Sequence, residues 1–317
     1  MLNKIKNKIK NKIKKIMRYR NKEFLKRMMI VHLQDKNIYE KEKGIELKKY
    51  CDEEIIISLT THGKRINTVY LTIESLFNQL VRANRIILWL SRDEFKLDTL
   101  PITLKRLQNR GLEIEFCNDL KPYTKIIPTL KKYSKSIVIT VDDDIIYPSY
   151  FVQNLFYQYL ENKKNVYFYR GHKIKIKGRE FEEYLKWEHE ILEKEESYIY
   201  FPTGVGGVLY PPGCFHKDVL REDIFLKICP LADDVWLKAM TLLNNIKCKK
   251  VEGNYNEDFF SLEEVQDIGL CHINVINKKN DIQIKELNSK YGLVKKLIEL
   301  EKIENGVGKN EKNMEVF

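Results

Sequence analysis

Short hydrophobic segments alternate with amphipathic segments along the chain from residue 53 onwards. The hydrophobic segments are rich in β-branched residues, as strands are, and the amphipathic segments have helical periodicity. This alternation predicts an α/β domain built on a mostly parallel central sheet flanked by helices. The predicted strands cover residues 54–59, 85–90, 112–116, 137–141 and 166–169, and the predicted helices cover residues 68–79, 100–109, 126–133 and 150–161.

The first twenty residues have a different pattern, in which apolar side chains recur every three or four positions with lysines between them. This pattern predicts an amphipathic helix with a cationic face. Residues 1–20 hold nine Lys or Arg and no acid, so the net charge of +11 falls to +2 for the rest of the chain. We expect this helix to bind an anionic membrane surface. A solvated tail is the alternative, and no nucleic acid is expected because Tyr19 is the segment's one aromatic residue.

The amino-acid composition indicates a packed globular protein. Hydrophobic residues make up 43% of the chain, with only 14 Gly and 8 Pro. No apolar run of about 18 residues occurs, so no transmembrane helix is predicted. The six cysteines form no CxxC pair and follow no secretory signal, which favours reduced thiols and a cytoplasmic protein on the inner face of the cell membrane. We expect a basic N-terminal segment (1–50), a main domain (51–285) and a C-terminal helix and tail (286–317).

Polar residues follow the predicted strands at the edge where open parallel sheets bind ligands. After the first strand come Thr60, Thr61 and Arg65, in a turn with a glycine that suits a phosphate. After the third come Asp119 and Lys125, which suit a nucleoside and a diphosphate. Each segment is also typical of an ordinary solvated turn or loop.

Three consecutive carboxylates, Asp142, Asp143 and Asp144, follow the fourth predicted strand. Adjacent like charges repel, so a cation is expected among them, and Mg²⁺ commonly takes only one or two protein carboxylates. If the extended conformation continues, Asp142 and Asp144 share one side while Asp143 points elsewhere. A helix N-cap would need only one of the three.

The second half of the chain supplies two further candidate segments. Residues 201–213 contain four glycines and three prolines, including Gly206 and Gly207, which suits a substrate-lining loop or a structural turn. Asp233 and Asp234 open an apolar helical run through Leu243. Capping accounts for one of these two carboxylates, and the other suits a general base. Further on, His272 lies among apolar residues, where a histidine is more often structural than a metal ligand.

Five segments together resemble the GT-A glycosyltransferases, specifically the bacterial family 2-like enzymes that build surface polysaccharide or lipooligosaccharide. Any one is of modest specificity, but their order over roughly residues 54–281 is much more specific. The segments are Ile-Ser-Leu-Thr-Thr, Lys-Pro-Tyr-Thr-Lys-Ile-Ile-Pro-Thr-Leu, Val-Asp-Asp-Asp-Ile-Ile-Tyr-Pro, Gly-Val-Gly-Gly-Val-Leu-Tyr and Ala-Asp-Asp-Val-Trp-Leu.

The resemblance implies a GT-A fold and an NDP-sugar donor, with a UDP-sugar favoured, whose diphosphate is bridged to the protein by Mn²⁺ or Mg²⁺. It leaves open which of the two carboxylates at the start of the late helix is the base. The implied roles are metal binding by Asp142, Asp144 and His272, donor binding by Thr60, Thr61, Arg65, Asp119, Lys125, Asp143, Gly206 and Gly207, and catalysis by Asp234 or Asp233.

The sequence therefore predicts a metal-dependent inverting glycosyltransferase that acts on a hydroxyl of a surface glycan or a lipid-linked acceptor. Two alternatives stay open at this stage. A metal-dependent nucleotidyltransferase uses a related α/β fold and also needs carboxylates and a cation. A non-enzymatic membrane- or nucleic-acid-binding adaptor would depend on the basic N-terminal segment alone.

Overall fold

A computed structural model describes the backbone of residues 2–262 and 279–304, with side chains for residues 17–262 and 279–302. The chain forms an α/β fold in which helices flank a central sheet of eight strands. This confirms the predicted fold class. The strands are β1 (Ile55–Thr60), β2 (Arg85–Ser91), β3 (Leu112–Cys117), β4 (Ile137–Thr140), β5 (Ile145–Ile146), β6 (Val166–Phe168), β7 (Gly171–Lys173), β8 (Ile176–Lys177), β9 (Glu180–Phe181), β10 (Glu196–Ser197), β11 (Tyr200–Pro202), β12 (Val208–Tyr210), β13 (Cys248–Lys250) and β14 (Phe260–Ser261).

The central sheet has the strand order β10-β13-β6-β12-β4-β1-β2-β3. Strands β3, β2, β1, β4, β6 and β13 run in one direction, whereas β12 is antiparallel to both of its neighbours and β10 is antiparallel to β13. The carboxyl ends of β1 and β4 therefore meet at one edge of the sheet. The helices are α1 (Leu2–Tyr39), α2 (Val69–Phe77), α3 (Ile102–Asn109), α4 (Ile127–Lys132), α5 (Phe151–Glu161), α6 (Glu222–Ile228), α7 (Asp233–Leu243), α8 (Tyr255–Asp258), α9 (Lys279–Tyr291) and α10 (Leu293–Glu304).

The predicted strands and helices correspond to β1 to β4, β6 and α2 to α5, and each end agrees within two residues. The late apolar helical run is α7, which begins at Asp233 and ends at Leu243 as predicted. Three strands of the central sheet, β10, β12 and β13, were not predicted. Each is only two or three residues long, too short for an alternation of polar and apolar positions to be recognised.

Both faces of the central sheet are buried. In β6, Tyr167 packs in one hydrophobic core cluster while Val166 and Phe168 pack in the other. Strand β12 divides in the same way, with Leu209 in the first cluster. Since successive side chains of a strand point to opposite faces, the two clusters cover the two sides of the sheet. The edge of the sheet where β1 and β4 end is therefore rigidly supported.

Helix α1 packs against the main domain through its last turns. Leu33 is 3% exposed, and Asn37 donates from Nδ2 to Glu74 Oε1 on α2 at 3.1 Å. Glu74 also pairs with Arg110 at 2.6 and 2.8 Å. The expected N-terminal segment is thus attached to the main domain, and at the other end α9 crosses the expected boundary after residue 285.

Two further observations concern the expectations for compartment and membrane. The cysteines of the described residues, from Cys51 to Cys248, are free thiols. Across residues 2–262 and 279–304, no helix combines the length and the hydrophobicity that a membrane-spanning helix requires.

Candidate active site

The acidic run lies in a turn at the end of β4. This strand ends at Thr140, and the chain turns at Asp143 and Asp144 before it enters β5. Neighbouring elements hold the turn through its backbone, because Thr72 Oγ1 donates to the Asp143 carbonyl at 2.9 Å and the Leu262 N–H donates to the Asp144 carbonyl at 2.7 Å. The next helix, α5, begins only at Phe151, so these carboxylates do not cap it.

The three carboxylates of this run have different partners. Asp143 accepts from Thr61 Oγ1 at 2.6 Å and from Arg65 Nη1 at 2.7 Å, and Arg65 Nη2 lies 3.4 Å from Asp144. Asp142 instead contacts Lys125, at 3.0 Å between Oδ1 and Nζ. The expected alternation, with Asp142 and Asp144 on one side and Asp143 on the other, is therefore not the observed pairing. The reason is the turn, which ends the extended conformation on which that expectation depended.

The second acidic pair forms the first turn of α7. Asp233 Oδ2 lies 3.1 Å from Lys125 Nζ, and both carboxylate oxygens of Asp234 accept from the Gly204 N–H at 3.0 Å. Lys125 therefore contacts both acidic segments. Its own backbone is held by Ser58 on β1, whose hydroxyl donates to the Lys125 carbonyl at 2.5 Å. The two segments that the sequence separates thus meet at one ammonium group.

Negative charge exceeds positive charge at this centre. Five carboxylates, those of residues 142–144, 233 and 234, face two cations, Arg65 and Lys125, so the group carries a formal charge of −3 when every carboxylate is ionised. Burial disfavours the charged ammonium of Lys125, but the surrounding carboxylates outweigh this and hold its pKa well above the usual value. The lysine is therefore charged and fixed in place.

The two carboxylates of α7 have raised pKa values. Burial raises the pKa of Asp234 to about 7, and the neighbouring Asp233 adds to the effect. The pKa of Asp233 is also raised by burial, with Lys125 acting in the opposite direction. Asp234 is partly exposed as a residue, unlike the buried Asp233, so a ligand can reach it. A carboxylate with a pKa near neutrality can accept and release a proton at physiological pH.

The glycine-rich loop closes one side of the centre through Gly204. A Cβ at this position would lie 3.0 Å from Asp234 Oδ1 and 3.1 Å from Lys125 Nζ, so a larger residue would displace the two. A Cβ at Gly206 would meet Arg170 at 3.0 Å, and one at Gly207, whose φ is +78°, would meet Phe151 at 2.5 Å. The contacts of Gly206 and Gly207 are thus with other side chains, and Gly204 is the glycine that touches the acidic centre.

The remaining predicted residues lie further from the centre or outside the described chain. Thr60 Oγ1 donates to the Trp89 carbonyl on β2 at 2.9 Å. Asp119 is exposed after β3 and accepts from the Lys121 N–H at 2.7 Å. His272 lies outside the described residues.

The donor atoms of the centre fit a hard divalent cation that is completed by a substrate. Carboxylate oxygens are the ligands that Mg²⁺ and Mn²⁺ prefer, and Asp142 is the most exposed of the run, with a side chain 29% accessible. In the described part of the chain, no group of three or more His, Cys, Asp or Glu is arranged to hold a metal by itself. A divalent cation at this centre would therefore be bound by two carboxylates and would take its other ligands from phosphate and water.

Sequence reasoning missed several residues that shape the site. Gly204 was visible only as one of four glycines, without a sign of which one contacts the acidic pair. Tyr147 places its hydroxyl oxygen 2.9 Å from the Asp142 N–H, and Arg170 donates from Nη1 to Thr203 Oγ1 at 3.1 Å beside the loop. No local pattern marks such residues, because their partners are distant in the sequence.

Comparison of the sequence with protein-family models finds no match, and comparison with curated proteins finds none either. Several solved structures are similar at low levels. They include TarS residues 1–349 from S. aureus, with 12% identity over 79% of this chain and 72% of that one at a TM-score of 0.44. The inositol-1-phosphate CTP transferase from T. maritima shows 11% identity over 75% of this chain and 97% of that one at a TM-score of 0.40.

A third structure, glucosyl-3-phosphoglycerate synthase from Mycobacterium tuberculosis in complex with Mn²⁺, UDP and phosphoglyceric acid, shows 16% identity. The similarity covers 37% of this chain and 42% of that one, at a TM-score of 0.29. At TM-scores below 0.5, these similarities establish neither the fold nor the function of the present chain.

Proposed function

We propose that this protein is a metal-dependent glycosyltransferase that moves a sugar from a nucleoside-diphosphate donor to an acceptor hydroxyl with inversion. The observation that carries the proposal is the meeting of two acidic segments at Lys125, where five carboxylates face two cations. The centre lies at the carboxyl ends of β1 and β4, where open parallel sheets bind ligands. A centre with this charge excess attracts a divalent cation, and a diphosphate would complete its ligands.

Asp142 and Asp144 are the residues that would hold Mn²⁺ or Mg²⁺. When bound, the metal would supply Lewis-acid stabilisation of the negative charge on the leaving diphosphate. Arg65 orients this side of the centre, because it pairs with both Asp143 and Asp144. Thr61 binds the other carboxylate oxygen of Asp143. The turn is thereby held in one conformation before any ligand binds, which lowers the cost of binding.

Asp234 is the general base of the proposed reaction. Its carboxylate would take the proton of the acceptor hydroxyl, the hydroxyl oxygen would form a bond to the anomeric carbon, and the bond from that carbon to the diphosphate oxygen would break. The Gly204 N–H holds both carboxylate oxygens and orients the base. Asp233 is directed to Lys125, so it serves as a positioning residue. This division of roles favours Asp234 over Asp233 as the base.

Donor contacts are proposed along the carboxyl ends of the strands. Thr60 ends β1 and Asp119 follows β3, on the side where the nucleoside would extend. Gly206 and Gly207 continue the loop from Gly204 and would limit the space for the donor sugar. A loop with small residues and one positive φ lets the backbone approach a ligand closely.

The N-terminal helix supports a membrane-associated acceptor. Besides Leu33, which packs on the main domain, α1 carries exposed apolar residues, including Phe24 at 64% and Met28 at 55% exposure. Arg18 pairs with Glu257, and Lys22 donates to the Asn256 carbonyl, so α1 also contacts α8 beside the active site. An apolar stripe with basic neighbours suits an anionic membrane surface. Helix α1 would hold the active site near a lipid-linked glycan on the inner face of the cell membrane.

The test is a screen of NDP-sugars for release of the nucleoside diphosphate, with Mn²⁺ and with EDTA. We expect metal-dependent release with one donor, strengthened by the correct acceptor, and its loss in Asp234→Asn. A parallel assay with nucleoside triphosphates and sugar 1-phosphates measures pyrophosphate. Pyrophosphate release without turnover of any NDP-sugar would replace the proposal with a nucleotidyltransferase, and activity of neither kind would contradict an enzyme.

A further inference from the structure

A separate cavity of about 390 Å³ lies beside the acidic centre. Its volume is within the roughly 300–1,000 Å³ of small-molecule sites. Charged and aromatic groups face it, and none belongs to the acidic centre. The lining residues that matter here are Tyr169, Arg170, Glu190, Lys194, Lys250 and Tyr255.

The cavity and the acidic centre share a wall. Arg170 packs against the position of Gly206 and donates to Thr203, which follows β11 and precedes Gly204. The Arg170 guanidinium also lies 5.7 Å from the centre of the Tyr255 ring. Burial raises the pKa of Tyr255, and after the opposing effect of Arg170 the charges of Asp142 and Asp144 raise it further. The Tyr255 hydroxyl is therefore within the electrostatic influence of the metal-binding carboxylates.

One cation of this cavity, Lys250, forms no ion pair with a carboxylate of the described residues. Arg170 pairs with Glu190 at 3.0 Å, and Lys194 pairs with Glu252. Lys250 is 9% exposed and donates only to the carbonyls of Val251 and Gly253, at 3.1 and 3.4 Å. Within residues 17–262 and 279–302, no carboxylate forms an ion pair with it. An ammonium that has lost most of its water without gaining an anion is unfavourable, so this position is suited to an anionic ligand.

Another lining residue of the cavity, Glu190, is held in an unusual backbone conformation. Glu190 has a φ of +56°, which is rare for a residue with a side chain. Its N–H donates to His172 Nδ1 at 3.1 Å, and its carboxylate accepts from Asn256 Nδ2 at 2.8 Å as well as from Arg170. Backbone strain of this kind persists only where surrounding contacts enforce it. The Glu190 carboxylate is thereby held by Arg170 and Asn256 and forms no ion pair with Lys250.

We propose that this cavity binds the acceptor, and that it selects an acceptor sugar carrying an oxyanion, a carboxylate or a phosphate, which pairs with Lys250. Lys194, a more exposed lining residue that pairs with Glu252, is a weaker second contact for the anion. Tyr255 and Tyr169 present aromatic surface for the sugar ring. The role of the cavity as the acceptor site rests on the proposed function, whereas its selection of an anionic sugar rests on the residues of the cavity alone.

The experiment measures binding of small sugars to the full-length protein by calorimetry, in EDTA and without donor. The probes are glucose 6-phosphate, glucuronate, neutral glucose and inorganic phosphate. We expect saturable binding of one anionic sugar, at least about tenfold tighter than glucose, because a charged hydrogen bond in a desolvated site is worth at least 1.4 kcal/mol. A preference for glucuronate identifies the oxyanion as a carboxylate, and a preference for glucose 6-phosphate identifies it as a phosphate.

Variants locate the binding. Lys250→Met should weaken the anionic sugar at least about tenfold while leaving glucose unchanged, and Lys194→Met should weaken it less. The control is Lys105→Met, on the exposed surface of α3, which should have no effect. If Lys250→Met does not fold, Lys194→Met and the comparison of charged with neutral sugars in the unaltered protein still decide the outcome.

Three results would overturn the inference: equal affinity for glucose and both anionic sugars, anionic binding that survives both substitutions, or binding of inorganic phosphate as tight as that of glucose 6-phosphate. These measurements need neither metal nor turnover. If the protein turns over an NDP-sugar but does not prefer an anionic sugar, the proposed function stands and the proposed acceptor site is wrong. If it prefers an anionic sugar but turns over no NDP-sugar, the anionic site stands and the proposed function is wrong.

Discussion

Asp142 and Asp233, on different elements of the fold, contact the same ammonium group, at 3.0 and 3.1 Å from Lys125 Nζ. One belongs to the turn after β4 and the other to the first turn of α7. This shared contact turns two acidic segments into one centre. It also makes Lys125 the residue on which the geometry of the centre most depends.

Removal of the shared cation should destabilise the protein. Lys125→Met leaves the carboxylates of Asp142 and Asp233 without their partner, and loss of one member of a buried ion pair costs about 3–5 kcal/mol. We expect the free energy of unfolding in urea with EDTA to fall by this amount. The control is Lys131→Met on α4, whose exposed pair with Glu222 should contribute at most about 1 kcal/mol. Equal effects of both substitutions would contradict the bridging role.

The rate of sugar transfer should depend on the protonation of Asp234. With a pKa of about 7, this base is mostly protonated below neutral pH, so kcat/KM should rise with pH and level off above that value. Asp234→Asn should lower kcat by about 10²- to 10⁴-fold and remove the rise. Asp233→Asn should lower activity less and keep a rise with pH, moved to lower pH because the charge of Asp233 contributes to the raised pKa of Asp234. A profile that is unchanged in Asp234→Asn would assign the base elsewhere.

The titration of Asp234 should lower the stability of the protein as the pH rises, whereas it increases the reaction rate. The pKa of this carboxyl is raised in the folded state above the ordinary 3.8, so the folded protein binds more protons than the unfolded chain between these values. This contribution to the free energy of unfolding is fully present below about pH 4 and is lost as the pH rises towards 7. We expect unfolding in urea without metal to show a smaller loss of stability over this range in Asp234→Asn than in the unaltered protein. An identical loss in both proteins would show that Asp234 does not titrate near 7.

Asp142 and Asp143, although adjacent, should behave differently on substitution. Asp143 is bound by Thr61 and Arg65, so Asp143→Asn should cost about 3–5 kcal/mol of folding free energy. Asp142 is more exposed, and Lys125 keeps Asp233 as its partner when Asp142 is replaced, so Asp142→Asn should change stability little but weaken Mn²⁺ binding. Urea unfolding and Mn²⁺ titration of both variants measure the two effects. The reverse result would exchange the structural and metal-binding roles.

Local sequence patterns predicted most of the fold but less of the site. Strands β1, β2 and β4 are mostly apolar segments, and β3 alternates apolar with acidic residues. Amphipathic helices separate these strands, so their type and position follow from periodicity. The identities of Asp142, Asp234 and Lys125 as candidates followed from their places after strands and before a helix. Their pairing did not, because it depends on how elements far apart in the sequence meet. The contact between Gly204 and Asp234 is of this kind, as is the bend that directs Asp143 towards Arg65.

The exposed apolar stripe of α1 should bind membranes together with the basic residues near it. Phe24→Gln with Met28→Gln removes apolar groups worth roughly 1.5–3 kcal/mol each when fully buried, so binding to anionic vesicles should fall more than about tenfold. Deletion of residues 2–20 should release the protein as well, while turnover of a soluble acceptor continues. The control is Leu97→Gln, at a residue 59% exposed on the main domain. Vesicle binding that survives both changes would contradict a role for α1.

The central claim is that the joined acidic segments hold a divalent cation together with a nucleoside diphosphate. The most direct measurement is a titration of Mn²⁺ by electron paramagnetic resonance, with and without UDP, for the unaltered protein, Asp142→Asn and Asp144→Asn. We predict one bound Mn²⁺ that binds more tightly when UDP is present, and loss of this coupling in both variants. Mn²⁺ binding that is absent, or that is unaffected by UDP and by both substitutions, would contradict the account.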